Sequence, residues 1–178
     1  MLMMCFIDDL NQNKEIFMEI RKTAIGDIDE VMEIYAYARD YMRKNGNPGQ
    51  WGDAFPSLEY IRQDIKSGKS YVLADEKTIA AVFYFCIESE PTYSKIDGNW
   101  LNDKPYGVVH RIARGPAGKG AGEICLKWCF ENCGNVRIDT HRDNVQMLKL
   151  LKKLGYVYCG IVWMEDGSER LAYQKQSL

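Results

Sequence analysis

Histidine is scarce in this chain, with two among 178 residues, and so is proline, with five. Charge of one sign is scarce too: 23 Lys and Arg against 25 Asp and Glu leave a formal net charge of −2. That balance excludes a nucleic acid held by bulk electrostatics, and only a local basic patch can serve a phosphate ligand. A long apolar run is also missing. Residues 1–7 are apolar but too few to span a bilayer. Asp8 and Asp9 follow them at once and no basic residue precedes them, which is not a secretory signal. No membrane partner is expected. The six cysteines (Cys5, Cys86, Cys125, Cys129, Cys133 and Cys159) lack the turn-rich spacing of a disulfide scaffold. They lie in apolar runs, so a reduced, cytoplasmic setting is the simpler expectation.

What remains is ordinary globular composition, 46% hydrophobic and 27% charged, in a chain of one-domain length. Residues 18–23 alternate apolar and polar and predict a first strand. Residues 1–17 read as an N-terminal extension outside a single domain over 18–178. Ile28, Val31, Met32, Ile34, Tyr35, Ala38, Tyr41 and Met42 recur at helical spacing, with Asp27 at the N-cap. A Gly- and Pro-rich loop over 45–52 leads to a second helix over 57–66, capped by Ser57. Strands are predicted over 71–75, 79–88, 107–113, 136–140, 156–164 and 169–174. Helices are predicted over 119–132 and 144–154, the second ended by Gly155. The stretch 89–106 is polar, aromatic and without a period, and loops of that length are often functional. The class is α/β (α+β), a mixed, twisted sheet flanked by about four helices.

The informative unit is VVHRIARGPAGKGAGEICLKWCF, residues 108–130, a strand, a loop and a helix. Four glycines and a proline occupy residues 115–122. Glycines let backbone N–H groups turn toward one point, and a helix start adds its own free N–H groups and positive dipole end. That arrangement suits a phosphate or pyrophosphate, with Lys119 able to add a charge-assisted contact. The alternative is a tight connection without a ligand, but such connections usually need one glycine. A Walker A loop does not fit, because two residues rather than four separate Gly115 from Gly118-Lys119. A dinucleotide fingerprint does not fit either, since Glu123 stands where Gly or Ala is needed.

On these residues the chain resembles the GNAT superfamily of N-acetyltransferases, from Met18 to Lys175. The family's pyrophosphate loop matches Ala117–Gly122 (AGKGAG) through Gly120 and Gly122, while Ala117 replaces a polar first residue. The family's helix-opening Asn, the Met three residues on and the Gly-aromatic ending match Asn144, Met147 and Gly155-Tyr156. The phrases NGNPGQWG, WLNDKPYGVVHRIA and RIDTHRDN are similar to those of small bacterial acetyltransferases. The resemblance implies a mostly antiparallel sheet of about six or seven strands. It implies acetyl-CoA as cosubstrate, held by Ile112, Ala113, Arg114, Ala117, Gly118, Lys119, Gly120, Ala121, Gly122, Asn144 and Met147. Asn144 also reads as a plain helix N-cap.

Acetyl transfer requires an amine to lose a proton, a thioester carbonyl to be polarised and a thiolate to be stabilised. In the family a strand N–H polarises the carbonyl and a Tyr commonly protonates the thiolate; here that slot holds Leu151. His110, ranked first, and His141 are candidate bases, since imidazole titrates near neutral pH, with a hydrogen-bonded structural role as the alternative for each; Tyr156 and Tyr158 are candidates for the missing acid. Trp51, Tyr93, Trp100 and Tyr106 are either loop anchors or an aromatic wall for the acceptor. Cys125, Cys129 and Cys133 recur on one helix face and read as core. Asp139, Arg142 and Asp143 read as a solvated cap. The expected activity is transfer of an acetyl group to an amine of a small molecule or peptide in a ternary complex. The alternative is a catalytically weak acetyl-CoA-binding sensor. A homodimer is compatible with either.

Overall fold

In the computed structural model, the structure describes residues 5–7 and 16–177. Nine strands form one sheet: β1 (Cys5–Ile7), β2 (Ile16–Lys22), β3 (Ser70–Ala74), β4 (Ile79–Cys86), β5 (Asp97–Gly98), β6 (Gly107–Arg114), β7 (Asn135–Thr140), β8 (Val157–Trp163) and β9 (Glu169–Gln176). Their order is β1-β2-β3-β4-β6-β7-β9-β8-β5. Every pairing is antiparallel except β6 with β7. The seven strands read from the sequence are all present. The two additional ones are short, three residues in β1 and two in β5, too short for any period to show.

Four helices cover the faces: α1 (Ile28–Lys44), α2 (Leu58–Lys66), α3 (Ala121–Cys133) and α4 (Val145–Lys153). Strand alternation sorts the core. Val72, Ala74, Val82 and Ala113 meet Val31, Ile34, Tyr35 and Ile61 of α1 and α2. Leu73, Phe83, Phe85, Val109 and Ile138 meet Cys125, Leu126, Cys129 and Leu151 of α3 and α4. The three-cysteine stripe thus sits largely in the core, with Cys125 and Cys129 fully buried.

Local chemistry explains the helix ends. Ser57 Oγ accepts from the Tyr60 N–H at 3.3 Å. Asp27 stands at the N-cap of α1, but its carboxylate turns back to the Ala24 N–H at 2.7 Å and to Arg21. Gly155 ends α4 with φ +77°, a value at which L side chains are strained. The aperiodic stretch before β6 holds a 3₁₀ turn at Pro91–Ser94 and the two-residue β5, which pairs with β8.

Two irregularities position the site. β6 and β7 pair only over Gly107–Val109 and Val136–Ile138, and beyond that the strands part. Within β6, Val82 stands opposite Ala113 and Tyr84 opposite His110, so Phe83 faces both Arg111 and Ile112. That is a β-bulge.

Candidate active site

The parting strands open onto a cavity of about 720 Å³. Ile112, Ile138, Thr140, Asn144 and Met147 line it, as do Trp51, Tyr60, Tyr84, Glu90, His110 and Asp139. His110, Arg111 and Ile112 all reach this cavity although they are consecutive. A regular strand sends neighbours to opposite faces, so the bulge is what gathers them.

The glycine loop follows β6 directly. Its first amide is spent on the sheet: the Gly115 N–H donates to the Ala80 carbonyl at 2.9 Å. Gly118 N–H donates to Gly115 O and Ala121 N–H to Gly118 O, both at 3.1 Å. No backbone hydrogen bond among the described residues uses the N–H of Lys119, Gly120 or Gly122. Gly118 packs so closely that an added Cβ would lie 2.2 Å from the Ala80 carbonyl oxygen. Gly120 takes φ +85° at the N-cap of α3 with open space around it. Lys119 is exposed and Ala113 buried, while Ala117 adds no polar group. Arg114 lies along α1, its guanidinium 5.2 Å from the Tyr41 ring, and donates to Gly115 O. The sequence thus produces a helix start whose free amides suit an anion, with exposed Lys119 in the same loop.

Asn144 caps α4: its Oδ1 accepts from the Met147 N–H at 3.2 Å. Its Nδ2 donates across the cleft to Gln50 Oε1 at 3.0 Å. The loop carrying Gln50 and Trp51 therefore reaches over the opening. Trp51 packs edge-on against Tyr35, with centroids 5.7 Å apart, and lines the cavity.

His110 sits between two carboxylates. Its Nε2 is 3.0 Å from Glu90 Oε2, and its Nδ1 is 3.7 Å from Asp139 Oδ1. The bond to His110 holds the Glu90 carboxyl down at about 2, against an ordinary 4.5, and donors from Thr92 help. Glu90 is therefore ionised wherever the protein works. Asp139 Oδ1 accepts from the Tyr93 hydroxyl at 2.7 Å, and burial and that carboxylate raise the Tyr93 pKa. Asp139, read as part of a solvated cap, instead lies inside the site with a side chain 10% exposed.

The other aromatic candidates stand behind this cluster. The Tyr106 hydroxyl accepts from the Glu90 N–H at 3.1 Å, and the Trp100 Nε1–H donates to the Tyr93 carbonyl at 3.1 Å. Trp100 and Tyr106 also sandwich the Arg137 guanidinium, with centroids at 4.3 and 3.9 Å. The cavity wall does not include them. His141 is outside the wall too: its Nδ1 accepts from the Asp143 N–H at 3.2 Å in the turn before α4. Tyr156 lies on the core side of the sheet against Cys129 and Cys133, where burial raises its pKa. Leu151 is fully buried in the same core. The structure thus gathers His110, Ile112, Asn144, Met147 and Trp51, and holds His141, Tyr156, Trp100 and Tyr106 elsewhere.

Sequence reasoning passed over Glu90, Asp64, Arg111 and Gln50. Asp64 receives Arg111 Nε and Nη2 in a two-pronged pair, both at 2.9 Å. One signal was available. His110-Arg111 places two polar residues side by side in an apolar strand, which breaks period-two alternation as a bulge does. Glu90 had no such signal.

Comparison with known proteins follows this geometry. No model of a protein family matches the chain, and a search of curated proteins likewise finds no match. Solved structures do match. A GNAT-family acetyltransferase from Streptococcus agalactiae is 34% identical, with TM-score 0.82 over 90% of this chain and 96% of that one. A GNAT-family acetyltransferase from Listeria monocytogenes is 17% identical, with TM-score 0.67 over 91% and 96%. The yncA protein of Salmonella typhimurium, solved with its cofactor acetyl-CoA, is 15% identical, with TM-score 0.61 over 89% and 93%. The last two show the fold alone; the first, at its identity and coverage, carries more, and with it this chain belongs to the GNAT family of acetyltransferases.

Proposed function

We propose that this protein transfers the acetyl group of acetyl-CoA directly to an amine of a small molecule or peptide, in a ternary complex. The observation that carries the reading is the order of two parts along β6, on the stretch where it has parted from β7. The bared amides of the glycine loop follow the end of β6, and His110, paired with Glu90, lies within it and lines the cavity. The first suits a pyrophosphate and the second an amine. Asn144, Met147 and Ile112 line the same cavity as His110. The free cysteines suit a reducing compartment, and we place the protein in the cytoplasm on that ground.

Acetyl-CoA supplies the activated thioester, and this chain does the rest. Five acidic residues (Asp64, Glu90, Asp139, Glu165 and Asp166) line the cavity against two arginines (Arg111 and Arg170), a balance that attracts the amine as an ammonium ion. Glu90 accepts the Nε2–H of neutral His110, which leaves the Nδ1 lone pair facing the cavity side of Asp139. The bound ammonium first gives one proton to water; as the amine nitrogen then bonds to the carbonyl carbon, a second proton passes to Nδ1, the carbon–sulfur bond breaks and the thiolate leaves. Ionised Glu90 steadies the imidazolium that results. Backbone N–H groups of the bulge polarise the carbonyl oxygen. Tyr60 and Tyr84 are the tyrosines of the cavity wall, so a hydroxyl that protonates the thiolate belongs to one of them.

Thiol release from acetyl-CoA, followed across a panel of primary amines, tests the reading. Turnover dependent on the amine is expected. Coenzyme A binding without turnover of any amine would assign the chain to acetyl-CoA sensing instead.

A further inference from the structure

Arg111 has a backbone conformation that its side chain does not favour. Its φ is +50°, and among the described residues no other non-glycine residue is positive. This is the first of the two bulged residues opposite Phe83. In bulges of this left-handed kind glycine normally fills that position. An arginine there persists only where its surroundings over-determine it.

They do so from three elements. Asp64 of α2 takes Nε and Nη2 at 2.9 Å each, with both side chains largely buried, 12% and 10% exposed. The guanidinium lies 4.6 Å from the Tyr84 ring of β4 and 5.5 Å from the Tyr60 ring of α2. The Tyr35 hydroxyl of α1 donates to the Arg111 carbonyl at 3.0 Å. On either side, His110 and Ile112 face the cavity. A glycine would take the backbone without strain but would tie it to nothing.

We infer that Arg111 is a positioning residue: its buried pair with Asp64 holds the β6 bulge in its left-handed form. That form aims the bulge N–H groups and His110 at the reacting carbonyl. The inference rests on the acetyl-transfer reading for its rate effect, though not for its structural content. The guanidinium fork is essential, since an ammonium can make neither both bonds nor the flat stack.

The test compares wild type with Arg111→Lys, Asp64→Asn and Arg111→Gly. Circular dichroism and coenzyme A calorimetry establish that each is folded. Arg111→Lys and Asp64→Asn should lower kcat by about 10²-fold, as small misplacements of reacting groups do. KM for acetyl-CoA should stay within a factor of about two. Arg111→Gly, suited to φ +50° without help, should retain more kcat than Arg111→Lys. A merely structural tie predicts the reverse order, because glycine loses the whole contact; that order, or unchanged kcat in Arg111→Lys and Asp64→Asn, overturns the inference. A second readout does not need turnover. S-acetonyl-coenzyme A carries a ketone in place of the thioester, and its affinity relative to coenzyme A reports carbonyl recognition. That preference should vanish in Arg111→Lys and persist in Arg111→Gly. This pattern without turnover in any protein would keep the inference and overturn the functional reading. Turnover with an undisturbed Arg111→Lys would do the opposite, and no preference in the wild type would overturn the inference.

Discussion

Gly120→Val separates a ligand-binding loop from a mere connection. Two effects of the substitution can be sized. Gly120 has φ +85°, and a side chain in the left-handed region costs about 1–2 kcal/mol. No atom lies within 4 Å of the added Cβ, so no packing clash adds to that strain. In a domain of this size the melting temperature should fall by roughly 2–8 °C, at about 2–4 °C per kcal/mol. The second effect is on affinity. The isopropyl group would stand in the open space beside the free N–H groups of Lys119, Gly120 and Gly122. Each hydrogen bond to a charged group contributes about 1.5–3 kcal/mol. Loss of one or two weakens coenzyme A binding by at least about tenfold, and by about a hundredfold or more for two. Isothermal titration at fixed ionic strength, with a thermal melt of the same sample, reads both effects. Gly118→Ala is the contrast: its Cβ would lie 2.2 Å from a backbone oxygen, so the loop itself must move and stability should fall further. A folded Gly120→Val protein that binds coenzyme A as wild type does would refute the assignment of the loop.

His110→Gln keeps a hydrogen bond to Glu90 but removes the proposed base, so kcat should fall about 10²-fold with coenzyme A affinity little changed. A folded His110→Gln protein with wild-type kcat would count against His110 as base. Leu151→Ala empties a fully buried core position and should cost about 2–5 kcal/mol, while the rate per folded molecule holds. A hundredfold rate loss at unchanged melting temperature would contradict that. Glu90 is held at about 2 against an ordinary 4.5, chiefly by its bond to His110. Its folded value is depressed, so its stabilisation is present above pH 4.5 and is lost as pH falls through about 2. Urea melts of wild type and Glu90→Gln should therefore differ by up to about 3 kcal/mol near neutrality and converge in acid; a gap independent of pH would refute this origin.

Local signals were legible and register was not. The glycine loop, the Ser57 cap and the Gly155 stop depend on residues within a few positions of one another, so sequence displays them. The bulge depends on how β6 meets β4, where Phe83 faces two residues, and only the adjacent polar pair His110-Arg111 hinted at it. The partners of the site residues are far apart in sequence: Glu90 lies 20 residues from His110, and Asp64 lies 47 from Arg111. No periodicity connects such positions. Aromatic content marked the stretch before β6 as special, but composition cannot distinguish a wall from the support behind it. Tyr93, Trp100 and Tyr106 are mostly support, bracing Asp139 and Glu90.

The cleft itself follows from backbone accounting. Beyond Val109, β6 keeps its partner β4 but loses β7; beyond Ile138, β7 keeps β9 but loses β6. Each half of the sheet stays bonded on its outer side and turns an inner edge of N–H and C=O groups toward the gap. Backbone groups left without partners away from water are costly, so a gap of this kind calls for water or an extended ligand with amides of its own. The pantetheine arm of the proposed acetyl-CoA is such a chain, and the glycine loop follows β6 directly. The bulge lies on the same stretch of β6 and brings His110, Arg111 and Ile112 to the cavity. Parting and bulge are thus two parts of one device. Parting provides a slot that a peptide-like arm can fill, and on the proposed reading the bulge sets where along that slot a carbonyl meets a base.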